Sequence, residues 1–243
     1  ISWNGMATYG ALAIGAPLGL SLYARAGLAL PALLVVLLPI IARGVIYGIP
    51  GNIPTARPRV PVLRVVGLVW RPGTGLVLQG IGFATLSAFT ALWFNERHWD
   101  NTGFAMTLFG IAFIAVRFFC AKFPDRYGGA TVATFSLLVE GTGLAVMWSA
   151  PSAGAALIGA AITGCGCSLM FPSLGVEVVR RVPPEIRGTA LGVWSAFQDL
   201  AYGFTGPIAG LLTPFIGYQQ VFLLAAACAL LGAAVVHLLL RQH

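Results

Sequence analysis

Residues 103–148 read GFAMTLFGIAFIAVRFFCAKFPDRYGGATVATFSLLVEGTGLAVMW. Two apolar runs flank a short polar turn, Phe123-Pro124-Asp125-Arg126-Tyr127-Gly128-Gly129. Each run approaches the roughly 20 apolar residues that an α-helix needs to cross a bilayer. The turn brings the chain back with an acid, a base and two glycines at one helix end. Such a turn holds two helices together through charge and helix-dipole contacts, or it simply sets topology with an arginine.

The same pattern extends both ways along the 243 residues. The chain is 58% hydrophobic and 9% charged, with a mean hydropathy of +0.88. Soluble domains carry about 25% charged residues, so a soluble enzyme, a disordered chain and a small disulfide-stapled module are excluded. Apolar runs bounded by Pro, Gly and charge predict eight spans, near 4–23, 28–49, 73–94, 102–122, 130–149, 153–176, 188–213 and 218–240. The expected fold is an all-α polytopic helical bundle of eight transmembrane helices.

A net charge of +7 is compatible with nucleic-acid binding, but the placement of the basic residues argues for membrane orientation and against nucleic acid. Alternate connections hold Arg43, Arg57, Arg59, Arg64 and Arg71, then Lys122 and Arg126, then Arg180, Arg181 and Arg187, with Arg241 at the C-terminus. The opposite connections hold only Arg25 and Arg97. The positive-inside rule places the first group, and the C-terminus, in the cytoplasm. Cys120, Cys165, Cys167 and Cys228 all lie in apolar runs. Without a nearby histidine or carboxylate the Cys165/Cys167 pair reads as packing and not as a metal site. His98, between Glu96 and Asp100, belongs to an outer loop, so no metal is expected there either.

The long connection from about Gly48 to Pro72, rich in Pro and Arg, separates two helices from six. We therefore expect residues 1–49 to be the last two helices of an N-terminal half, 50–72 a cytoplasmic linker, and 73–243 a complete C-terminal six-helix half. Ile1 is not an initiator methionine and no signal-peptide pattern follows it; four helices are expected upstream. An internal echo supports two repeated halves. Gly15, Pro17 and Gly19 in the first span match Gly206, Pro207 and Gly210 in the seventh, each second from the end of its block.

Asp125-Arg126-Tyr127-Gly128 resembles the D-R-x-G signature of the major facilitator superfamily, found after its second and eighth helices. The fuller pattern is weakened, with Ala121 in place of a glycine and Gly129 in place of a basic residue. The Gly/Pro clusters then fall on helices five and eleven and resemble the antiporter motif of exporters, Ala16 replacing the glycine of the first dipeptide. Phe171-Pro172-Ser173-Leu174-Gly175 through Pro184, with Arg187-Gly188 and Ala196-Phe197-Gln198-Asp199-Leu200, is similar to a bacterial branch described as arabinose-efflux-like or drug-efflux-like permeases. Ser2-Trp3-Asn4-Gly5 matches the start of helix five, so the resemblance covers the whole chain as helices five to twelve of twelve. It implies two halves rocking around a central cavity, in the bacterial inner membrane.

Ionisable residues inside a membrane are costly and usually functional. Glu140 lies about 14 Å along its span at 1.5 Å per residue, near the midplane, and Asp199 at similar depth. Both are expected to carry protons or bind cations, the alternative being a carboxyl that only orders the bundle; Gln79 is a candidate for the cavity wall. Arg117 is expected to snorkel outward or to pair with Asp125 at a cytoplasmic gate that includes Arg126, Gly128 and Glu177. The aromatics Phe83, Phe89 and Trp93 read as packing.

The expected function is secondary active transport of a small organic solute, the expected partners being that solute, protons, the bilayer and the missing helices of the same chain. Proton-coupled efflux is the leading direction. Import on the same fold, and a non-transporting scaffold or remnant, remain alternatives. No phosphate-binding loop, H-x-x-x-H pair or G-x-S-x-G occurs, so neither ATP-driven transport within this chain, a cofactor nor an intramembrane enzyme is expected.

Overall fold

The computed structural model describes residues 2–49 and 60–240, and every regular element among them is helical. In chain order these are α1 (Ser2–Ala26), α2 (Ala29–Ile46), α3 (Val62–Glu96), α4 (Gly103–Cys120), α5 (Phe123–Tyr127), α6 (Gly129–Trp148), α7 (Ala153–Ser168), α8 (Met170–Arg181), α9 (Arg187–Ile216) and α10 (Tyr218–Leu240). Pro50, Pro54, Arg57, Pro58 and Arg59 of the expected linker, and Arg241 of the C-terminal charge signal, lie outside the described residues.

All eight expected spans are helical, but two differ in extent. The third begins at Val62, well before residue 73, and runs through Pro72. The sixth is two helices, because the chain turns at Leu169 between α7 and α8. Seven spans are long and apolar enough to cross a membrane by length and composition. The remaining helix, α9, is 30 residues long but diluted by Gln198, Asp199 and several glycines.

The buried residues of each helix explain how the bundle closes. In α4 they are Ala105, Met106, Phe109, Gly110, Phe113 and Arg117, one stripe with helical period. In α6 the stripe runs through Ala133, Leu137, Glu140, Leu144 and Met147. These faces make a continuous arrangement in which α4 packs on α7, α7 on α6, α6 on α10, α10 on α3 and α3 on α9. Of the two leading helices, α1 lies along α4, whereas α2 touches α1 and has no buried residue.

Small residues set the closest crossings. Without a hydrophobic drive between helices in lipid, close backbone approach supplies packing energy. Gly166 on α7 faces the Glu140 backbone with no room for a side chain. The Ser168 hydroxyl donates to the Phe113 carbonyl at 2.7 Å and ties α7 to α4 in register. At Gly15, Gly19, Gly206 and Gly210 no such close approach is made among the described residues: a methyl group at any of them meets nothing within 4 Å. In α1 it is Ala13 and Pro17, against Gly110 and Gly103 of α4, that form the contact.

Candidate functional site

A polar cluster lies within the bundle, built from one or two side chains on each of five helices. Gln79 and Glu140 are buried on α3 and α6, the latter with no exposed surface. The Gln79 amide donates to Cys167 Sγ of α7 at 3.3 Å. Gln198 on α9 donates to Gln79 Oε1 at 3.3 Å and to the Tyr202 hydroxyl at 2.8 Å. The Tyr202 hydroxyl lies beside that of Tyr9, on α1. The chain of polar groups therefore runs from α7 through α3 and α9 to α1.

Aromatic rings wall this cluster on one side. Tyr9 stacks on Phe113 with ring centroids 3.9 Å apart and meets Phe83 edge-on at 5.5 Å. Phe83 in turn reaches Tyr202 at 5.3 Å. Phe83, read from the sequence as packing, does pack against the core through Phe109, and it also borders the cluster. Phe89 and Trp93 are buried in the core, Trp93 among Phe94, Trp99 and Phe222.

Two ionisable groups in this region lack partners. Neither carboxyl oxygen of Glu140 has a hydrogen-bond donor in bonding geometry, and Arg117 Nε and Nη1 are likewise unmatched. Gln79 and Cys167 adjoin the Glu140 carboxyl but bond each other. Arg117 is 2% exposed, with its guanidinium 5.1 Å from the Phe113 ring centre. It neither snorkels outward nor pairs with Asp125, because its place four residues after Phe113 puts it on the inward stripe of α4. Among the described residues both ion pairs belong to Glu177. Ionisable side chains inside a membrane are costly and usually functional, so two unmatched ones mark the region for function.

Asp199 is elsewhere. The buried positions of α9 are Ala190, Trp194, Ala201, Thr205 and Ala209. Gln198 follows Trp194 by four and joins that stripe; Asp199 is turned about 100° from it and is exposed. Depth alone did not decide its face, and the structure does not bring it to Glu140. Gly206, Pro207 and Gly210 occupy the same helix, Pro207 and Gly210 being exposed, and on α1 Gly15 is also exposed, with Pro17 half-buried.

At the basic end of the bundle the gate candidates separate into two groups. Gly128 takes φ +86°, a conformation suited to glycine, and ends α5 while opening α6. A methyl group on Gly129 would stand 3.0 Å from Glu177 Oε1, so the Glu177 carboxylate sits at the amino end of α6, where the helix dipole favours an anion. Arg181 donates to Glu177 Oε2 at 2.6 Å, and Arg180 lies 3.7 Å from Oε1. Asp125 and Arg126 are exposed, Arg126 lying over the Tyr127 ring at 5.3 Å. Glu177 and Arg181 both belong to α8, and the α6–α8 contact is made by the Glu177 side chain against Gly129.

At the opposite end, Arg97 donates to Gln219, whose amide donates to the Trp148 carbonyl at 2.6 Å. The Trp148 indole donates to Gln220 at 3.1 Å. No group of three or more His, Cys, Asp or Glu side chains able to hold a metal occurs among the described residues.

This all-helical bundle of membrane-length spans, with an unmatched carboxyl inside, defines a multi-pass membrane protein. Residues 73–243 match the Major Facilitator Superfamily, and the chain belongs to that family of transporters, not to an enzyme family. It is 99% identical over 243 residues to an uncharacterized MFS-type transporter of Salmonella typhimurium, covering all of this chain and 63% of that relative. It is 42% identical over 248 residues to uncharacterized MFS-type transporters of Burkholderia mallei and Burkholderia pseudomallei, covering all of this chain and 60% of each. The chain therefore spans less than two thirds of the length of these relatives.

Proposed function

We propose that the complete protein is a secondary active transporter that expels a small organic solute in exchange for protons. In this reading residues 1–49 close an N-terminal half, the linker 50–72 is cytoplasmic, and residues 73–243 form the C-terminal half, with further helices of the same chain completing the cavity. Alternating access then exposes the polar cluster to each side in turn. The orientation follows the basic connections, with Arg126, Arg181 and the C-terminus inside the cell, in the inner membrane.

The single observation that supports coupling is Glu140: fully buried, free of any ion pair among the described residues, and placed beside the Gln79–Cys167 contact. A carboxyl in this position exchanges its proton only when the surrounding helices give it a path to water. Glu177 with Arg181, together with Asp125, Arg126 and Gly128, forms the inner gate. The Gly/Pro positions of α1 and α9 favour efflux over import, since they match the exporter pattern.

The test is solute flux in liposomes containing the full-length protein. An imposed pH gradient should drive solute toward the more acidic side, and Glu140→Gln should abolish that drive while preserving expression. Wild-type flux in Glu140→Gln would overturn the coupling assignment. No counterflow of any solute by the wild-type protein would leave a non-transporting scaffold as the better account.

A further inference from the structure

Arg117 and Glu140 are a basic and an acidic side chain in one membrane interior that do not meet. Both side chains are almost wholly buried. Each has unmatched polar atoms, and neither enters an ion pair among the described residues. Two such groups would ordinarily satisfy each other, so what keeps them apart matters. The register between helices supplies the spacing. Ser168 bonds the carbonyl of Phe113, one turn above Arg117, while Gly166 faces Glu140. Projected on α7, Arg117 and Glu140 are then about six residues, or roughly 9 Å, apart along the bundle axis. Side chains lean toward the amino end of their helix. Since α4 and α6 run in opposite directions, the two side chains lean toward one another and narrow that gap without closing it.

The gap is bordered by groups that suit a small organic body. Tyr9 lies within electrostatic range of both charges. Tyr9, Phe83, Gln198 and Tyr202 are each half-buried, so the cluster has an open edge on the α1, α3 and α9 side. The remaining polar neighbours of Glu140 are Gln79 and Cys167, already bonded together. Among the described residues of this site the guanidinium is the one cation and Glu140 the one carboxyl.

Resting on the transport reading above, we propose that the substrate is a small zwitterion of amino-acid type. Its carboxylate is held by Arg117, its ammonium by Glu140, and its body lies against Tyr9, Phe83 and Tyr202. A ligand with both charges satisfies both buried groups at once; a cation or an anion satisfies one and leaves the other unmatched, which recognition sites penalise heavily. Glu140 then holds either a proton or the ammonium group, and one replaces the other. Exchange of one proton for one net-neutral zwitterion moves one charge, so a membrane potential alone accelerates it.

The test uses the full-length protein in lipid nanodiscs and three probes of matched shape: phenylalanine, phenethylamine and N-acetylphenylalanine. Phenylalanine should bind at least about tenfold more tightly than either single-charge analogue. Arg117→Gln should erase the preference over phenethylamine, and Glu140→Gln the preference over N-acetylphenylalanine. Equal binding of an analogue by the wild-type protein, or no binding of phenylalanine, overturns the assignment. Proton uptake in liposomes separates the two levels of failure. If other organic cations or neutral solutes trigger it and phenylalanine does not, the carrier stands and the zwitterion falls; if no solute triggers it, both fall.

Discussion

Gly110 on α4 lies against Ala13 on α1 so closely that a methyl group at 110 would stand 2.5 Å from Ala13 Cβ and 2.8 Å from the Tyr9 carbonyl oxygen. This contact seats α1 on the six-span block and, through Tyr9, brings a ring of α1 onto Phe113. Replacing Gly110 with valine should push α1 away and destabilise the protein by about 1–3 kcal/mol, the usual cost of overpacking. Gly154→Ala, at a position with nothing within 4 Å, should be close to neutral. Thermal unfolding of both variants in the same detergent checks the pair.

The separation of Glu140 from Asp199 gives a sharper expectation than their similar depth would. Glu140→Gln should remove pH-gradient-driven flux, whereas Asp199→Asn should largely retain it, because Asp199 is on the exposed face of α9. Liposome flux with each variant, normalised to the amount inserted, decides this. Loss in both variants would mean that Asp199 reaches the coupling path in another state of the carrier.

Glu177 and Arg181 should behave as one unit. Their 2.6 Å contact is mostly buried, with the two side chains 9% and 18% exposed. Glu177→Gln and Arg181→Gln should each lower stability by about 1 kcal/mol, and the double variant should fall short of their sum by a coupling energy of 0.5 kcal/mol or more, in the range of about 0.5–3 kcal/mol seen for contacting residues. Strict additivity would show that the contact contributes nothing.

Thiol reactivity offers a check that needs no substrate. Cys120, at the end of α4, is half-buried like Cys165 and Cys228, whereas Cys167 is buried behind Gln79. A membrane-permeant maleimide should modify Cys120 first and Cys167 last, since access limits attack. Peptide mass spectrometry after timed quenching gives the order. In Gln79→Ala, Cys167 should react faster.

The spans were legible because hydrocarbon admits few structures: an apolar run of the right length has little choice but to be a helix. What escaped the sequence was rotation. Glu140 stood out as a lone carboxyl in an apolar run, but its neighbours Gln79, Cys167, Gln198, Tyr202 and Tyr9 come from α3, α7, α9 and α1. Only packing decides which faces meet. Asp199 shows the same limit in reverse, lying about 100° away from the inward stripe of α9. For Arg117 the spacing to Phe109 and Phe113 carried the answer, since all three fall on one stripe. The turn at Leu169 had no proline or glycine at that position to announce it.

The length of α3 has a mechanical meaning. Its 35 residues extend about 52 Å, well beyond a hydrocarbon core of about 30 Å, and Pro72 interrupts the hydrogen-bond ladder partway along. Gln79 sits on one side of that weak point, and Arg64 on the other, toward the linker. A slight reorientation at Gln79 is therefore magnified at Val62, about 26 Å away. A single helix thus joins the polar cluster around Glu140 to a point well outside the hydrocarbon.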